Sequence, residues 1–387
     1  MRLGDCGKTN LHTYSDKEKW SLIRYLDTGS ITEGRIDEIQ TLYPGVDKIP
    51  SRARRKASVG DILFSTVRPN QKHYGIIEAG TENLLVSTGF TVVTVDTTIV
   101  DPYFIYYYLT QSSVIESLQA IAEQSTSTYP SIKPSDIEDI ELDLPELETQ
   151  KKIGSTLRML DRKIALNEEI NDNLYAQAKA IFDNHFINID AIPAGWRKGN
   201  LLDIANYLNG LAMQKFRPQG YEIGLPVLKI KELRQGSCDD SSELCSLSIK
   251  PEYIIHNGDV VFSWSGSLLV DIWCGGTCGL NQHLFKVTSD VYDKWFYYLW
   301  TAHHLARFIA IAADKATTMG HIKREELAKA EVLIPCEEDY TSFNSIMQPI
   351  FELIISNRIE SRKLAALRDE LLPKLMTGEI DVSDVQL

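Results

Sequence analysis

The feature of this sequence that most constrains its fold is an internal repeat. Residues 60–65 read GDILFS, and residues 258–263, which lie 198 positions later, read GDVVFS. Other matches keep the same order, first at an offset of 198 and then at 190: Leu3 with Leu201, Asp5 with Asp203, Tyr107 with Tyr297, Ile132 with Ile322, Lys133 with Lys323, and Pro145 with Pro335. Matches that keep their order over the whole length indicate a tandem duplication, so we expect two copies of one fold.

Each copy shows the same succession of local patterns. Short β-rich runs such as FTVVTV and HLFKV are followed by an aromatic stretch of predicted helix, YFIYYYL or WFYYLW. A loop of small polar residues, a last strand and a long helical segment complete the copy. The pattern predicts an α+β chain with two similar mixed α/β domains, which suits a length of 387 residues. The expected boundaries are residues 1–146 for the first domain, 147–187 for the first long helix, 188–336 for the second domain, 337–378 for the second long helix and 379–387 for a tail.

The two long helical segments carry the clearest periodicity. Their apolar residues recur at alternating steps of four and three, which is the spacing of a coiled-coil seam. Four polar residues interrupt the seam near the middle of the segments: Asn167, Asn171, Asn357 and Ser361. Buried asparagines at such positions commonly fix the register of a helix pair. We therefore expect the two helices to pack as an antiparallel coiled coil that separates the domains and has a pseudo-twofold axis.

The charge distribution indicates nucleic-acid binding at a restricted surface. The formal net charge of −13 argues against a chain that coats nucleic acid indiscriminately. From Lys48 to Lys72, however, seven basic residues stand against one acid, Asp61. Such a strip on an acidic protein would leave DNA repelled everywhere except at that surface.

The candidate DNA-binding residues come from this strip, from basic runs of the second copy, and from the small polar loops at 125–129 and 315–319. In the strip, phosphate contacts are expected from Arg52, Arg54, Arg55 and Lys56, and contacts nearer the bases from Arg68 or Lys72. The other candidates are Ser127, Tyr129, Lys215, Arg217, Lys229, Lys231, Lys315 and Thr317. The alternative for each set is a solvated loop or a turn, because short charge runs are often no more than that.

The whole chain resembles the specificity subunits of type I restriction-modification systems. The resemblance rests on the repeated GD-apolar-FS motif, on the IK pair before the last strand of each copy, and on the second helix ending in LLPKLMTGEI. The chain departs from the family pattern in two respects. The first copy lacks the lead-in IPAGWRKGNLLDI found at 192–204, and the two recognition regions share little sequence. Divergence in those regions is expected of two domains that read different bases.

The resemblance implies a non-catalytic subunit that binds double-stranded DNA with a bipartite target. Each domain would be a target-recognition domain for one half-site, and the helix pair would set the spacer between them. The implied partners are two DNA adenine methyltransferase (modification) subunits carrying S-adenosylmethionine, joined for cleavage by restriction/translocase subunits that use ATP and Mg. No cofactor is expected on this chain itself.

Two other classes of function remain open from the residues alone. A scaffolding protein could carry two protein-binding domains on a coiled-coil spacer, and it would show no sequence-selective DNA binding. An enzyme could have its site in the divergent middle regions, although no catalytic motif is apparent. The run GDCGKT at 4–9, for example, has two residues between its glycines where a phosphate-binding loop needs four.

The cysteines and the apolar runs bear on metal binding and location. Cys238, Cys245, Cys274 and Cys278 could in principle bind zinc, but their spacing is not that of a zinc knuckle, so free thiols are expected. No apolar run approaches the roughly 18 residues that a membrane span needs, and the start MRLGDCGKTN has no apolar signal region. These observations predict a cytoplasmic chain without a membrane partner.

Overall fold

The computed structural model describes residues 1–125, 129–314 and 322–382, and the chain divides into two compact units. The first unit comprises Met1–Arg162 together with Ala365–Leu387, and the second comprises Lys163–Leu364. Each unit combines sheets with helices, so the mixed α/β class predicted from the sequence is confirmed. Among the described residues, no helix is long and apolar enough to cross a membrane.

Two four-stranded sheets form the first unit. The motif sheet, named for the strand that carries ILFS of the repeated motif, has the antiparallel order Gly7–Thr9, Phe90–Val95, Ile62–Ser65, Tyr74–Ile76. The outer sheet has the order Gln40–Leu42, Ile23–Leu26, Leu84–Ser87, Ala53–Lys56, and its central pair is parallel. A hairpin joins Ile31–Thr32 to Arg35–Ile36. The shorter helices are Leu3–Cys6, Pro102–Leu109, Ser112–Glu123 and Pro134–Glu138.

The second unit has two four-stranded sheets of the corresponding order. Its motif sheet runs Asn206–Asn209, Leu284–Thr288, Val260–Ser263, Leu269–Ile272. Its outer sheet runs Leu244–Cys245, Leu225–Leu228, Cys278–Leu280, Ile254–Ile255, again with a parallel central pair. The shorter helices are Leu201–Ile204, Ile230–Gln235, Lys294–His303, Leu305–Asp314 and Arg324–Ala328. The segment 192–204 supplies the strand Arg197–Asn200, which pairs with Glu331–Ile334, and the first unit has a single antiparallel bridge, Arg2 with Glu141, at the corresponding place.

The motif strand of each unit is buried on both faces. In the first unit, Ile62 and Phe64 pack against the aromatic helix Pro102–Leu109, whereas Leu63 packs in a separate core with residues of the outer sheet. The corresponding strand of the second unit divides in the same way, with Val260 and Phe262 in the core of the aromatic helix and Val261 in the core of the outer sheet. Burial on both faces explains why the motif is an uninterrupted apolar run rather than an alternating one.

The GD pair that opens the motif makes the turn into this strand. Gly60 has a φ of +89° and Gly258 a φ of +88°, a region of backbone space that favours glycine. The Asp61 carboxylate then accepts a hydrogen bond from the backbone N–H of Ser58 at 2.7 Å and another from the Thr94 hydroxyl at 2.6 Å. Asp259 accepts from the backbone N–H of His256 at 2.8 Å in the same manner. The GD pair is therefore a structural element of the fold.

Two long helices, Leu147–Phe182 and Glu337–Met376, each contribute residues to both units. In the first unit, the Asp161 carboxylate accepts a hydrogen bond from the Tyr107 hydroxyl at 2.6 Å and one from the Arg368 guanidinium at 2.7 Å. Burial and the Asp161 charge raise the pKa of Tyr107 above its ordinary value, so the phenol remains a donor. This hydrogen-bonded group joins both long helices to the aromatic helix of the first unit.

The C-terminal part of the chain also belongs to the core of the first unit. Leu375 and Val382 are each 3% exposed and pack in the same apolar cluster as Leu3, Ile62 and Phe64. The first unit is therefore completed by residues that lie more than 200 positions away along the chain.

The four polar residues of the helical seam come together in the second unit. The amide of Asn167, which is 1% exposed, donates to Glu360 at 2.8 Å and to the Ser361 hydroxyl at 3.2 Å. The amide of Asn357 donates to the side-chain oxygen of Asn171 at 3.0 Å. Because the later residue of the first helix contacts the earlier residue of the second, the two helical segments run in opposite directions within this unit.

Replacing Gly60 with Ala should destabilise the first unit, because a Cβ is strained at a φ of +89° even though no atom lies within 4 Å of its position. We expect a loss of about 1–3 kcal/mol in the free energy of unfolding, measured by urea denaturation followed by circular dichroism. The control is Gly29→Ala, where the added Cβ also meets nothing within 4 Å and φ is not positive. Equal stability of the two variants would contradict the turn argument.

Candidate nucleic-acid interface

A cleft of about 390 Å³ opens in the first unit at the carboxyl end of the motif strand. Ser65 at the end of that strand pairs with Phe90, which places the turn before Phe90 beside it. The parallel pairing of Leu26 with Val86 brings Thr28 to Gly89 in the same turn. The residues that line this first cleft are Thr28, Gly29, Arg52, Ser65, Val67, Arg68, Gln71, His73, Gly89 and Tyr129. They combine two guanidinium groups with hydroxyl, amide and imidazole groups.

A second cleft of about 450 Å³ opens in the second unit. Its lining residues are Gln214, Arg217, Lys229, Ile230, Lys231, Glu243, Ser265, Gly266, Asn281, Gln282 and His283. Three cations, two glutamines and a histidine face this space, together with one carboxylate. The chemistry resembles that of the first cleft except for the acid.

The two clefts occupy corresponding places in the two units. Ser65 pairs with Phe90 across the first motif sheet, and Ser263 pairs with Leu284 across the second. Phe90 and Leu284 are therefore corresponding positions. The residue before each of them lines a cleft, Gly89 in the first unit and His283 in the second. The same argument relates the turns after the parallel strands, which supply Thr28 and Gly29 to one cleft and Ile230 and Lys231 to the other.

The serine that closes the repeated motif holds one wall of each cleft. Ser65 is 3% exposed, and its hydroxyl donates to the backbone carbonyl of Val67 at 3.0 Å. Ser263 is fully buried, and its hydroxyl lies 3.0 Å from the carbonyl of Ser267. Hydrogen bonds of this kind, between a side chain and the backbone two to four residues later, hold the turn that follows the strand.

The IK pair of the repeat is fastened to the same wall. The backbone N–H of Ile132 donates to the carbonyl of Thr66 at 2.9 Å, and that of Ile322 donates to the carbonyl of Trp264 at 3.0 Å. Both isoleucines are buried, at 5% and 3% exposure. The two matched motifs of the sequence therefore meet at the clefts, although they are about 70 residues apart in the first copy and about 60 in the second.

Arg68 is the cation with the most defined position in the first cleft. Its φ of +48° is in the left-handed region, and its backbone N–H donates to the carbonyl of Pro130 at 2.9 Å. Its guanidinium lies over the ring of Tyr129, 5.0 Å from the centroid, in a cation–π arrangement. Lys72, which also has a positive φ of +58°, forms an ion pair with Glu33. The structure therefore brings Arg68, Tyr129 and Arg52 to the cleft and places Lys72 beside it.

The central basic residues of the strip lie elsewhere, along the edge strand Ala53–Lys56 of the outer sheet. Lys56 forms an ion pair with Glu18, and its ammonium lies 5.1 Å from the centre of the Trp20 ring. Burial lowers the pKa of Arg55, and its Nη1 atom has no hydrogen-bond partner among the described residues. Arg54 lines a different cavity, with Tyr14 and Trp20.

The basic candidates of the second unit are brought together more completely. Arg217, Lys229 and Lys231 all line the second cleft. Arg217 and Lys229 both form ion pairs with Glu243, whose pKa is lowered by those hydrogen bonds. Lys215 is exposed on the neighbouring 3-10 turn Met213–Lys215, and it is the adjacent Gln214 that lines the cleft. The candidates Ser127, Lys315 and Thr317 lie outside the described residues.

Several lining residues were not among the candidates from the sequence. Gln71, His73, Gln214, Glu243, Gln282 and His283 all reach a cleft. The candidates were chosen mainly for their positive charge. These residues could have been found from the sequence only by their position near the ends of strands that adjoin the repeated motif. Within the described residues, no three His, Cys, Asp or Glu side chains are placed to hold a metal ion, and all six cysteines are free.

The family and the relatives that this chain resembles are all described as specificity domains or specificity subunits of type I restriction systems. Residues 53–176 match the family described as type I restriction modification DNA specificity domain. The HindI specificity subunit of Haemophilus influenzae is 22% identical over an alignment of 454 residues that covers 98% of both chains. The MjaIX specificity subunit of Methanocaldococcus jannaschii is 26% identical over 351 residues, 84% of this chain and 79% of that one.

One solved structure supports the fold. The type I restriction-modification system S subunit from M. genitalium aligns with a TM-score of 0.57, covering 97% of this chain and 95% of that one. The two sequences are 14% identical, so this likeness concerns the fold alone.

Proposed function

We propose that the chain is a type I restriction-modification specificity subunit and that it recognises a bipartite double-stranded DNA target with one half-site at each cleft. The observation that carries this proposal is the pair of clefts at corresponding places in the two units, each lined by cations together with amide and imidazole groups. One fold that presents two such surfaces can contact a duplex twice, with a different base sequence at each contact.

The composition of the clefts suits duplex DNA. Arginine and lysine contact phosphates and guanine, whereas glutamine, histidine and serine offer donors and acceptors to base edges in the major groove. The chain has a net charge of −13, so an acidic surface around the clefts would repel the phosphate backbone. Binding is therefore directed to the two clefts. The linings differ in almost every residue, which is what two different half-sites require.

The long helices are proposed to set the distance between the half-sites. An antiparallel coiled coil with a pseudo-twofold axis would hold the target-recognition domains, residues 1–146 and 188–336, at a fixed separation. Support comes from the opposed direction of the helical segments at Asn167 and Asn357 in the second unit, and from the Asp161–Arg368 contact in the first. The buried amides of the polar layer would oppose a slip of one helix along the other, because a slip leaves them unsatisfied.

Methyl transfer and cleavage are proposed to reside on partner subunits. Two DNA adenine methyltransferase subunits would bind S-adenosylmethionine, and restriction/translocase subunits would use ATP and Mg. This chain would contribute no catalytic group. Its residues would place the duplex so that adenines within the two half-sites reach the partners. Methylome sequencing of cells that express the chain with its modification subunit tests the proposal, because it should return one motif made of two short elements and a fixed spacer.

Removing the cleft cations should weaken binding to all DNA sequences. We expect the Arg52→Ala/Arg68→Ala variant to lower affinity and to make the salt slope of the binding constant shallower by about one to two, since each phosphate contact adds about 0.9 to that slope. Fluorescence anisotropy with labelled duplexes over a KCl series measures both quantities. The matched control is Arg54→Ala/Lys56→Ala, which removes two charges from the edge strand outside the first cleft. If the control pair has the larger effect, the edge strand Ala53–Lys56, and not the first cleft, contacts the phosphates.

Exchanging the first domain should change one half of the target. Residues 1–145 would be replaced by the corresponding region of a related specificity subunit, with Asp161 and Arg368 retained so that the helices still dock. The methylated motif should then change in one element and keep the other element and the spacer. The reciprocal exchange of residues 188–334 should change the other element. A motif altered in both elements by either exchange would show that the domains do not read independently.

Lengthening the helix pair should lengthen the spacer. Seven residues inserted after Ile164 and seven after Arg362 keep the four-three spacing of the seam and leave the polar layer together. At about 1.5 Å per residue this adds about 10.5 Å, or about three base pairs at 3.4 Å each. Methylome sequencing of the double insertion should report the longer spacer, whereas insertion in one helix alone disrupts the pair. A lengthened subunit that methylates only the original spacing would refute the spacing role.

A further inference from the structure

The second cleft contains a group of charges without an equivalent among the described residues of the first cleft. The carboxylate of Glu243 lies between two cations: it accepts a hydrogen bond from Arg217 Nη2 at 2.5 Å and is paired with the ammonium of Lys229. The described lining of the first cleft includes Arg52 and Arg68 and no acid. The difference between the two clefts is therefore an ionised acceptor with a donor on each side.

These three side chains are joined by hydrogen bonds and are still accessible. Their exposed fractions are 46% for Arg217, 40% for Glu243 and 37% for Lys229. The second guanidinium nitrogen of Arg217 donates to the carbonyl of Leu244 at 3.3 Å, which fixes the plane of the group. The hydrogen bonds from the two cations lower the pKa of Glu243, so its carboxylate is ionised at neutral pH. A ligand can reach this acceptor and its donors without rearranging the cleft.

We infer that Arg217, Glu243 and Lys229 read a G·C base pair in the major groove. The edge of this pair presents the N4 amino group of cytosine beside the O6 and N7 acceptors of guanine. A carboxylate accepts from the amino group, while an adjacent cation donates to guanine. The order of donors and acceptors on the protein thus complements the order on the base pair. The inference rests on the proposed function, since it names the base pair that this cleft would select.

The other bases fit this group less well. In the major groove, guanine presents two acceptors, and thymine presents one acceptor and a methyl group. Neither base offers a donor to a carboxylate, and their acceptor atoms repel it. Adenine offers an amino group, but its N7 acceptor lies next to it and faces the same carboxylate. Cytosine has no acceptor on its major-groove edge. An acid held between two cations therefore selects the base that has only a donor, and the cations add the guanine of the same pair.

A structural role for the ion pairs makes a different prediction. Half-exposed ion pairs contribute little to stability, and their loss would change affinity for all sequences alike or not at all. Direct contact with a base edge instead changes which base pair is selected at one position of the target. The target sequence itself is therefore the decisive readout.

The test is Glu243→Gln in the chain expressed with its modification subunit, read by methylome sequencing. The amide can donate as well as accept, so one position of the second half-site should lose its restriction to G·C. Discrimination there should fall roughly tenfold to a hundredfold, while the first half-site and the spacer stay unchanged. The control is Glu252→Gln, an exposed acid of the same unit outside the cleft lining, which should keep the wild-type motif.

A second variant, Lys229→Met, removes a donor for guanine and leaves the carboxylate, and it should relax the same position. If the Glu243→Gln variant has a lowered melting temperature, the result for Lys229→Met decides the inference. An unchanged motif in both variants, relaxation at two different positions, or a uniform loss of methylation with normal melting would each overturn the inference. Those results leave the bipartite target standing. Absence of any bipartite motif for the wild-type chain would instead overturn the proposed function, and the inference with it.

Discussion

Each unit depends on burying one short strand between two apolar layers. The runs ILF and VVF have no polar face, so the aromatic helix must close on one side and the outer sheet on the other. Burying each of these side chains stabilises a unit by about 1.5–3 kcal/mol. Polar residues are excluded from the strand and remain only at its ends, where the GD turn begins it and a buried serine closes it. The hydrophobic effect thereby fixes where a cleft opens, while its chemistry is left to the surrounding turns.

Acidic residues form ion pairs with cations both inside and outside the clefts. Glu18 holds Lys56 on the edge strand, and Glu33 holds Lys72 beside the first cleft. Arg52 and Arg68 line that cleft with no acid among their described neighbours in the lining. In the second unit, Glu243 itself lines the cleft and pairs there with Arg217 and Lys229. Basic residues that are alike in the sequence are thus separated by the fold into those that line a cleft and those that lie on the outer sheet.

Much of the architecture could be predicted from the sequence because it is encoded locally. Glycine and aspartate signal the turn, three apolar residues signal a strand buried on both faces, and a four-three spacing signals the long helices. The lining of the clefts is set by strand order and could not be predicted in this way. The parallel pairing of Leu26 with Val86 brings Thr28 beside Gly89, although no pattern in the sequence links those positions. Arg54 and Arg68 are alike in the sequence, and only the sheet separates them into different cavities.

The way the chain is divided between its units has a consequence for its synthesis. The second unit is one continuous segment, Lys163–Leu364, whereas the first needs Leu375 and Val382 to complete its core. Domains usually mature on the ribosome in the order in which they are translated. Here the half that is translated first must remain unfinished until Leu375 and Val382 have been translated. A nascent chain that stops before Leu375 therefore leaves apolar surface of the first unit uncovered, and transiently exposed apolar surface of this kind makes a partly folded chain prone to aggregation.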